Sequence, residues 1–571
     1  MHDLLITHAR VYDGLGSAPV TADVAIAGGR IVALGSGLDP ARETIDAAGL
    51  ALMPGIIDSH THYDAQITWD PLASPSPELG VTTAVMGNCG FTLAPCKPAD
   101  RDLNLRNLTH VEGMSLESLR AGVNWGFESF PQYLDFLQGQ GVGPNVAAYI
   151  GHSSLRTWVM GEDASKRAAT QDEIHAMRGL VIEGLKAGAV GLSSTTSYQH
   201  NGEGGVPMPS RLATDEEFHA LASALGEMGR GTYMMTKSSD TKPAWLQALA
   251  RRCGRPFLAA AVLYNPGVPD AAWNDMVGIA EGRAQGLDMY GAVSCCQLKF
   301  EFTMREPYVF EGLKSWKPAL AAGQGGAAAL YADAAFRQSV KDELAIPVRR
   351  IFSGDWSKVH VVMVRDAPRR AYEGKSVAAL AAAEGKHPFD WLLDLSLAED
   401  LETMFTAVLL NSDEDQVARL LKHPNSIVSL SDAGAHMTFF CDAGFGLHFL
   451  GYWVREKSLM PLEQAIRKLT SEQARLFGIP DRGVIRAGAW ADLMLFDPAT
   501  VGRGDSVRRF DLPGGGSRLH TPSRGVHGVW VNGVRIADAR GVRADAGRPG
   551  QVLREFTARS PDSLGTTVAP P

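Results

Sequence analysis

The chain has 571 residues, 45% hydrophobic and 20% charged, with a formal net charge of -9. That length suffices for a barrel-sized core plus a second module, and the composition is ordinary for a globular protein. The acidic balance argues against nucleic acid or an anionic membrane as the main partner. No apolar run reaches the ~18 residues that span a bilayer, and no basic leader with an apolar core opens the chain. Six scattered cysteines are too few for a disulfide framework in a chain this long, so reduced thiols and a cytoplasmic location are expected.

In chain order, residues 3–53 alternate apolar and polar positions in short runs broken by Gly and Asp, which predicts hairpin strands. The segment 483–540 has the same character, so both chain ends are expected to build one small β-sandwich, from residues 1–54 and 483–571. Between them, short apolar strand candidates alternate with helical stretches: 55–60, 83–87, 145–150, 189–193, 231–235, 256–262, 288–293 and 426–430. Eight such units predict an α/β protein, a TIM-type (β/α)8 barrel over 55–482. Residues 297–350 interrupt the rhythm with aromatic and Ala-rich stretches. An insertion after the seventh strand lies at the catalytic face, as a lid or interface, or else as a packed helical subdomain with no substrate contact.

The first barrel strand ends in His60-Thr61-His62. Alternation along a strand points residues i and i+2 to one face, so the two imidazoles leave together and can share a metal ion. Asp432, in Ser429-Leu-Ser-Asp-Ala-Gly-Ala-His436, follows the eighth strand and projects toward the same mouth. A carboxylate there can bind metal, accept a proton from water and pass it to a leaving amine; its bland alternative is a helix N-cap.

Several motifs resemble the amidohydrolase superfamily. They are Ala25-Ile-Ala-Gly-Gly-Arg-Ile-Val-Ala-Leu-Gly35, Pro54-Gly-Ile-Ile-Asp58 with the His pair, and Gly483-Val-Ile-Arg-Ala-Gly-Ala-Trp-Ala-Asp492. Within it, Gly80-Val-Thr-Thr-Ala-Val-Met-Gly-Asn-Cys-Gly-Phe91, Gly151-His-Ser153 with Leu155-Arg156, and Ala187-Gly-Ala-Val-Gly-Leu-Ser-Ser194 with Tyr198 are similar to the D-aminoacylases, the N-acyl-D-amino-acid deacylases. The resemblance implies a small-molecule substrate, cleavage of an amide C-N bond by metal-activated water, and Cys89 as a further metal ligand. It also implies one histidine each from the fifth and sixth strands, yet no histidine lies between His219 and His360.

Two readings follow from that loss. One divalent ion is held by His60, His62 and Asp432, with Cys89 or a deprotonated or carbamylated Lys237 added; alternatively, Lys237 stays cationic and holds the substrate carboxylate. Such a donor set suits zinc, and manganese or iron also tolerates it. His152, Ser153, Arg156 and Tyr198, at the ends of the third and fourth strands, are expected to face substrate, with Arg156 able to fork onto a carboxylate. His436 could orient Asp432. The altered ligand set leaves alternatives: a cyclic amide or carbon-carbon bond as the target, or a non-catalytic relative that binds a ligand. A homo-oligomer is an open option.

Overall fold

A computed structural model describes residues 1–348, 350–435 and 442–557. Its centre is a parallel sheet of eight strands: β1 (Ile56–Asp58), β2 (Val81–Met86), β3 (Asn145–Gly151), β4 (Gly191–Thr195), β5 (Thr232–Thr236), β6 (Phe257–Ala260), β7 (Met289–Val293) and β8 (Ser426–Val428). They pair in chain order, with Thr83 beside Asn145, Tyr233 beside Phe257 and Gly291 beside Ser426. All residues of these strands are buried, which is why they read as nearly unbroken apolar runs. Each of the eight overlaps its expected range.

Helices cover the outside of this sheet. Gln171–Ala187, between β3 and β4, shows how the sequence sets their ends. Thr170 and Glu173 form a reciprocal capping box at its start, and Gly188 closes it at φ 111°. Ile174, Met177, Val181 and Leu185 are buried, the spacing of one helical face.

The barrel closes between its first and last strands. Thr61 bridges Ala433 in parallel, the His62 amide donates to the Ala433 carbonyl at 2.7 Å, and the Asp432 amide donates to the His60 carbonyl at 3.1 Å. The Ser59 and Ser429 hydroxyls meet at 2.8 Å, and Ser431 Oγ donates to the His60 carbonyl at 3.0 Å. Gly434 completes the seam at φ +91°, where an added Cβ would sit 2.8 Å from the His62 carbonyl carbon and oxygen. Gly434→Ala is therefore expected to cost about 1–3 kcal/mol in backbone strain, read as a lower denaturation midpoint. The seam it loosens carries His62, so the variant is also expected to bind divalent metal more weakly than wild type in equilibrium dialysis.

The two chain ends share one nine-stranded sheet. Ala51–Pro54 pairs antiparallel with Leu493–Phe496, and His2–Val11 pairs with Val20–Ala27, Ala41–Asp46 and Ala51–Pro54. Its core joins Leu4, Ile6, Val24 and Ile31 to Ile485, Leu493, Leu495 and Trp530. The excursion after β7 runs well past residue 350. It contributes a three-stranded antiparallel sheet, Leu298–Phe302, Met404–Leu410 and Val359–Met363, and helices Lys317–Ala332, Ala334–Leu344 and Pro388–Ala398. An aromatic core of its own, with Phe310 and Trp316 stacked at 5.0 Å and Phe389 and Phe405 fully buried, holds it together. Among the described residues no helix is long and apolar enough to cross a membrane.

Candidate metal centre and its cavity

His60 and His62 leave the end of β1 together and are both buried. Their Nε2 atoms turn to one carboxylate oxygen: Asp432 Oδ1 lies 3.1 Å from His60 and 3.7 Å from His62. Cys89 enters from the turn after β2, where it adopts φ 59°, and its Sγ lies 3.5 Å from His60 Nε2. Asn88 holds that turn by donating to the Thr61 and Val85 carbonyls at 3.1 and 3.0 Å. Thr236, the last residue of β5, donates its hydroxyl to Cys89 Sγ at 3.2 Å.

Donor atoms of His60, His62 and Cys89 all lie within 4.8 Å of one another. Metal bonds of about 2.0–2.3 Å place tetrahedral donors roughly 3.3–3.7 Å apart, and the Asp432–His60, Asp432–His62 and Cys89–His60 separations of 3.1, 3.7 and 3.5 Å match that scale. The residues present therefore fit one divalent ion. Burial favours the neutral form of His62 and lowers its pKa, which leaves its lone pair available. Burial alone would raise the Asp432 carboxyl, but the two imidazoles outweigh it and hold that carboxyl well below the usual range. Burial pushes Asp58 and Asp64, flanking the His pair, up to about 7, outweighing the hydrogen bonds Asp58 takes from Ser431 and the His60 amide and those Asp64 takes from backbone amides.

A cavity of about 390 Å³ opens on Asp432. Tyr198, His200, Lys237 and Asp240 line it from the barrel, and Phe300, Tyr308, Leu313, Lys314 and Arg350 from the excursion. The excursion has a core of its own and also supplies one wall of the cavity.

The 571-residue chain matches the family described as amidohydrolase over residues 43–537. It is 31% identical over 560 residues to an N-acyl-D-aspartate deacylase of Alcaligenes xylosoxydans xylosoxydans, covering 96% of this chain and 95% of that one. This is an amidohydrolase of the D-aminoacylase family. A D-aminoacylase of the same organism is 30% identical over 542 residues, covering 94% of each chain. The crystal structure of N-acyl-D-glutamate deacylase from Bordetella bronchiseptica, complexed with zinc and a phosphonate inhibitor that mimics the tetrahedral intermediate, superposes with a TM-score of 0.67 at 26% identity. That match covers 97% of this chain and 100% of the other.

Within this amidohydrolase, several expected substrate-facing residues lie elsewhere. His152, Ser153 and Arg156 belong to the helix His152–Met160, and all three are buried away from the cavity. His152 bonds Ser194 Oγ through Nδ1 at 3.1 Å and Glu217 through Nε2 at 2.8 Å. Arg156 donates to the other Glu217 oxygen at 2.5 Å and to the Ala164 and Arg167 carbonyls. Ser153 Oγ donates to Ser210 Oγ at 3.0 Å. Position after a barrel strand put these residues at the correct end of the barrel, but the helix turns His152 and Arg156 toward the helix Asp215–Met228, which carries Glu217, and Ser153 toward the turn Pro209–Leu212.

Lys237 lines the cavity, yet its ammonium lies 2.5 Å from Asp275, on the helix Ala271–Ala284. A protonated amine has no lone pair for a metal, and a charge already met by a carboxylate is a poor anchor for a second one. In this structure Lys237 has both a carboxylate neighbour and a place on the cavity lining. Tyr198 does face the cavity, 47% exposed, with its hydroxyl donating to Asp240 at 2.7 Å. His436 lies outside the described residues. Sequence reasoning passed over Glu217 and Asp275 because each sits within a helix, where an acid reads as part of a solvated face. It passed over Thr236 because a strand-end hydroxyl has no distinctive spacing.

Proposed function

We propose that this amidohydrolase cleaves the linear amide C-N bond of an N-acyl D-amino acid, with one divalent ion, zinc, held by His60, His62, Cys89 and Asp432. The observation that supports the reading is the convergence of His60, His62 and Cys89 from the ends of β1 and β2, with Asp432 beside both imidazoles and on the lining of a cavity of about 390 Å³. When bound, the ion supplies Lewis acidity to the scissile carbonyl and lowers the pKa of a coordinated water toward ~7. Asp432 is held ionised, so it can take the proton from the attacking water as oxygen adds to the acyl carbon, and return it to nitrogen as the C-N bond breaks. The products are a carboxylate and a free amine. Aromatic and aliphatic residues of the excursion keep bulk water from the reacting atoms. The same proposal includes a cytoplasmic location, and it leaves a homo-oligomer open.

One ion rather than two is part of this reading. Where the family pattern implies histidines after the fifth and sixth strands, the chain has Thr236-Lys237 and Ala260-Ala261. Thr236 spends its hydroxyl on Cys89, and Lys237 its charge on Asp275.

Metal analysis of the purified protein, followed by chelation and readdition of zinc, manganese or iron, tests the proposal against a panel of N-acetyl D- and L-amino acids. The expected result is about one ion per chain, loss of hydrolysis on chelation in proportion to the metal removed, and recovery on readdition. Full hydrolysis by metal-free protein, or a stoichiometry of two with both ions required, overturns it.

A further inference from the structure

We infer that Lys314, on the excursion, anchors the substrate's α-carboxylate, and that the rest of the substrate pocket selects an apolar amino-acid side chain over an acidic one. The inference rests on the hydrolase reading above and names the substrate class for it.

Three cationic side chains line the cavity among the described residues: Lys237, Lys314 and Arg350. Lys237 is paired with Asp275. Arg350 donates to the Glu343 carbonyl at 2.7 Å and to the Ile346 carbonyl, so its guanidinium is spent on holding the chain around it. Lys314 remains. It is exposed at the cavity wall, and no described carboxylate lies within ion-pairing distance of its ammonium.

Its backbone, in contrast, is fixed. Lys314 opens the short helical turn Lys314–Trp316, and Trp316 is fully buried in the aromatic core of the excursion. The Glu343 carboxylate accepts the Lys314 and Ser315 amides at 3.0 and 2.7 Å. Burial raises the Glu343 pKa, but those amides and the Arg350 charge outweigh it and hold the carboxyl below its ordinary value, so Glu343 stays occupied as an anion by the backbone. Asn265, in the loop after β6, donates to the Arg350 carbonyl at 2.8 Å and ties this knot to the barrel. A flexible cation on a rigid support, facing a cavity that also holds Asp432, is what a carboxylate anchor requires.

The count of uncommitted charges sets the substrate class. Among the described residues, one available cation matches one carboxylate. Much of the surrounding wall is apolar, with Leu263, Phe300, Leu313 and Ile351 beside the polar Tyr198 and His200; it offers an aliphatic or aromatic side chain a dry surface, and among the described residues no further uncommitted lysine or arginine meets an acidic one. N-acyl derivatives of D-leucine or D-phenylalanine fit this arrangement, and those of D-aspartate or D-glutamate carry a second charge it does not meet.

The test compares the wild-type metalloenzyme with Lys314→Met and Lys314→Arg on N-acetyl-D-leucine, its carboxamide analogue, and N-acetyl-D-glutamate. A charged hydrogen bond at an exposed wall predicts a KM about 10-fold higher for Lys314→Met on N-acetyl-D-leucine, kcat within about 2-fold, recovery in Lys314→Arg, and no difference from wild type on the carboxamide. Calorimetric titration of metal-depleted protein with N-acetyl-D-leucine reads the same anchor without turnover, again about 10-fold weaker in Lys314→Met. Unchanged affinity, or an equal loss on the carboxamide, overturns the anchor. Preference for N-acetyl-D-glutamate overturns the substrate class. A wild-type enzyme that hydrolyses no N-acyl amino acid sinks the hydrolase reading instead, and the titration then decides the anchor by itself.

Discussion

Asp432→Asn is expected to cut kcat/KM on an N-acyl D-amino acid by about 10²–10⁴-fold, the largest activity loss of any single substitution that preserves shape. The exchange is sterically conservative. Residue 432 sits in the left-handed region at φ 47°, which Asn tolerates as well as Asp does, and its amide bond to the His60 carbonyl involves only backbone. The seam therefore survives, and His60 and His62 keep their positions. What is lost is the one anionic oxygen on which both imidazoles converge. A carboxamide can still point oxygen at an ion, but it cannot take a proton from water or deliver one to the leaving nitrogen. Steady-state kinetics together with metal content separate the two losses. Metal retained with kcat collapsed locates the effect in proton transfer, whereas metal lost in step with activity locates it in binding. A decrease smaller than 10-fold removes Asp432 from the chemistry.

The reach of the sequence was uneven, for physical reasons that particular residues show. A parallel strand buried on both faces must be apolar along its whole length, and that pattern stands out between helical stretches; hence β1 through β8 fall where expected. The excursion beyond residue 350 escaped notice because Val359–Met363 and Met404–Leu410 are antiparallel and only partly buried, so they share no such run. The convergence of His60, His62 and Asp432 was legible because each follows a strand end, where side-chain direction is set by the strand, whereas Cys89, in the turn after β2, was read from the family resemblance. His152 and Arg156 were misplaced because they begin a helix, and one-third of a turn decides whether a side chain enters the barrel mouth or faces the next helix. Lys237 was ambiguous for another reason: its partner Asp275 comes from a distant helix, and sequence spacing does not announce an ion pair between elements.

That buried charge cluster yields the largest expected effect on stability. His152, Arg156 and Glu217 are each fully buried, with the Glu217 carboxylate bonded by both others. Arg156→Met keeps much of the side-chain volume and removes the guanidinium, leaving Glu217 with half its hydrogen bonds inside an apolar shell. Breaking such a pair costs about 3–5 kcal/mol, which equilibrium unfolding in urea followed by tryptophan fluorescence would register as a lower midpoint. Adding Glu217→Gln removes the stranded charge, so the double variant is expected to lose less than the two single losses combined, the mark of coupled neighbours. The pH dependence carries the same sign. Burial pushes the Glu217 carboxyl up, but His152 and Arg156 outweigh it and hold its pKa below the ordinary value. Its contribution is therefore complete above the unfolded carboxyl pKa of about 4.3 and is lost as pH falls from there through the folded value. Glu217→Gln is expected to flatten the wild-type fall in stability over that acid window. An unchanged KM in the folded fraction of Arg156→Met would fit a strut behind the barrel wall; a KM raised 10-fold at unchanged stability would return Arg156 to the substrate.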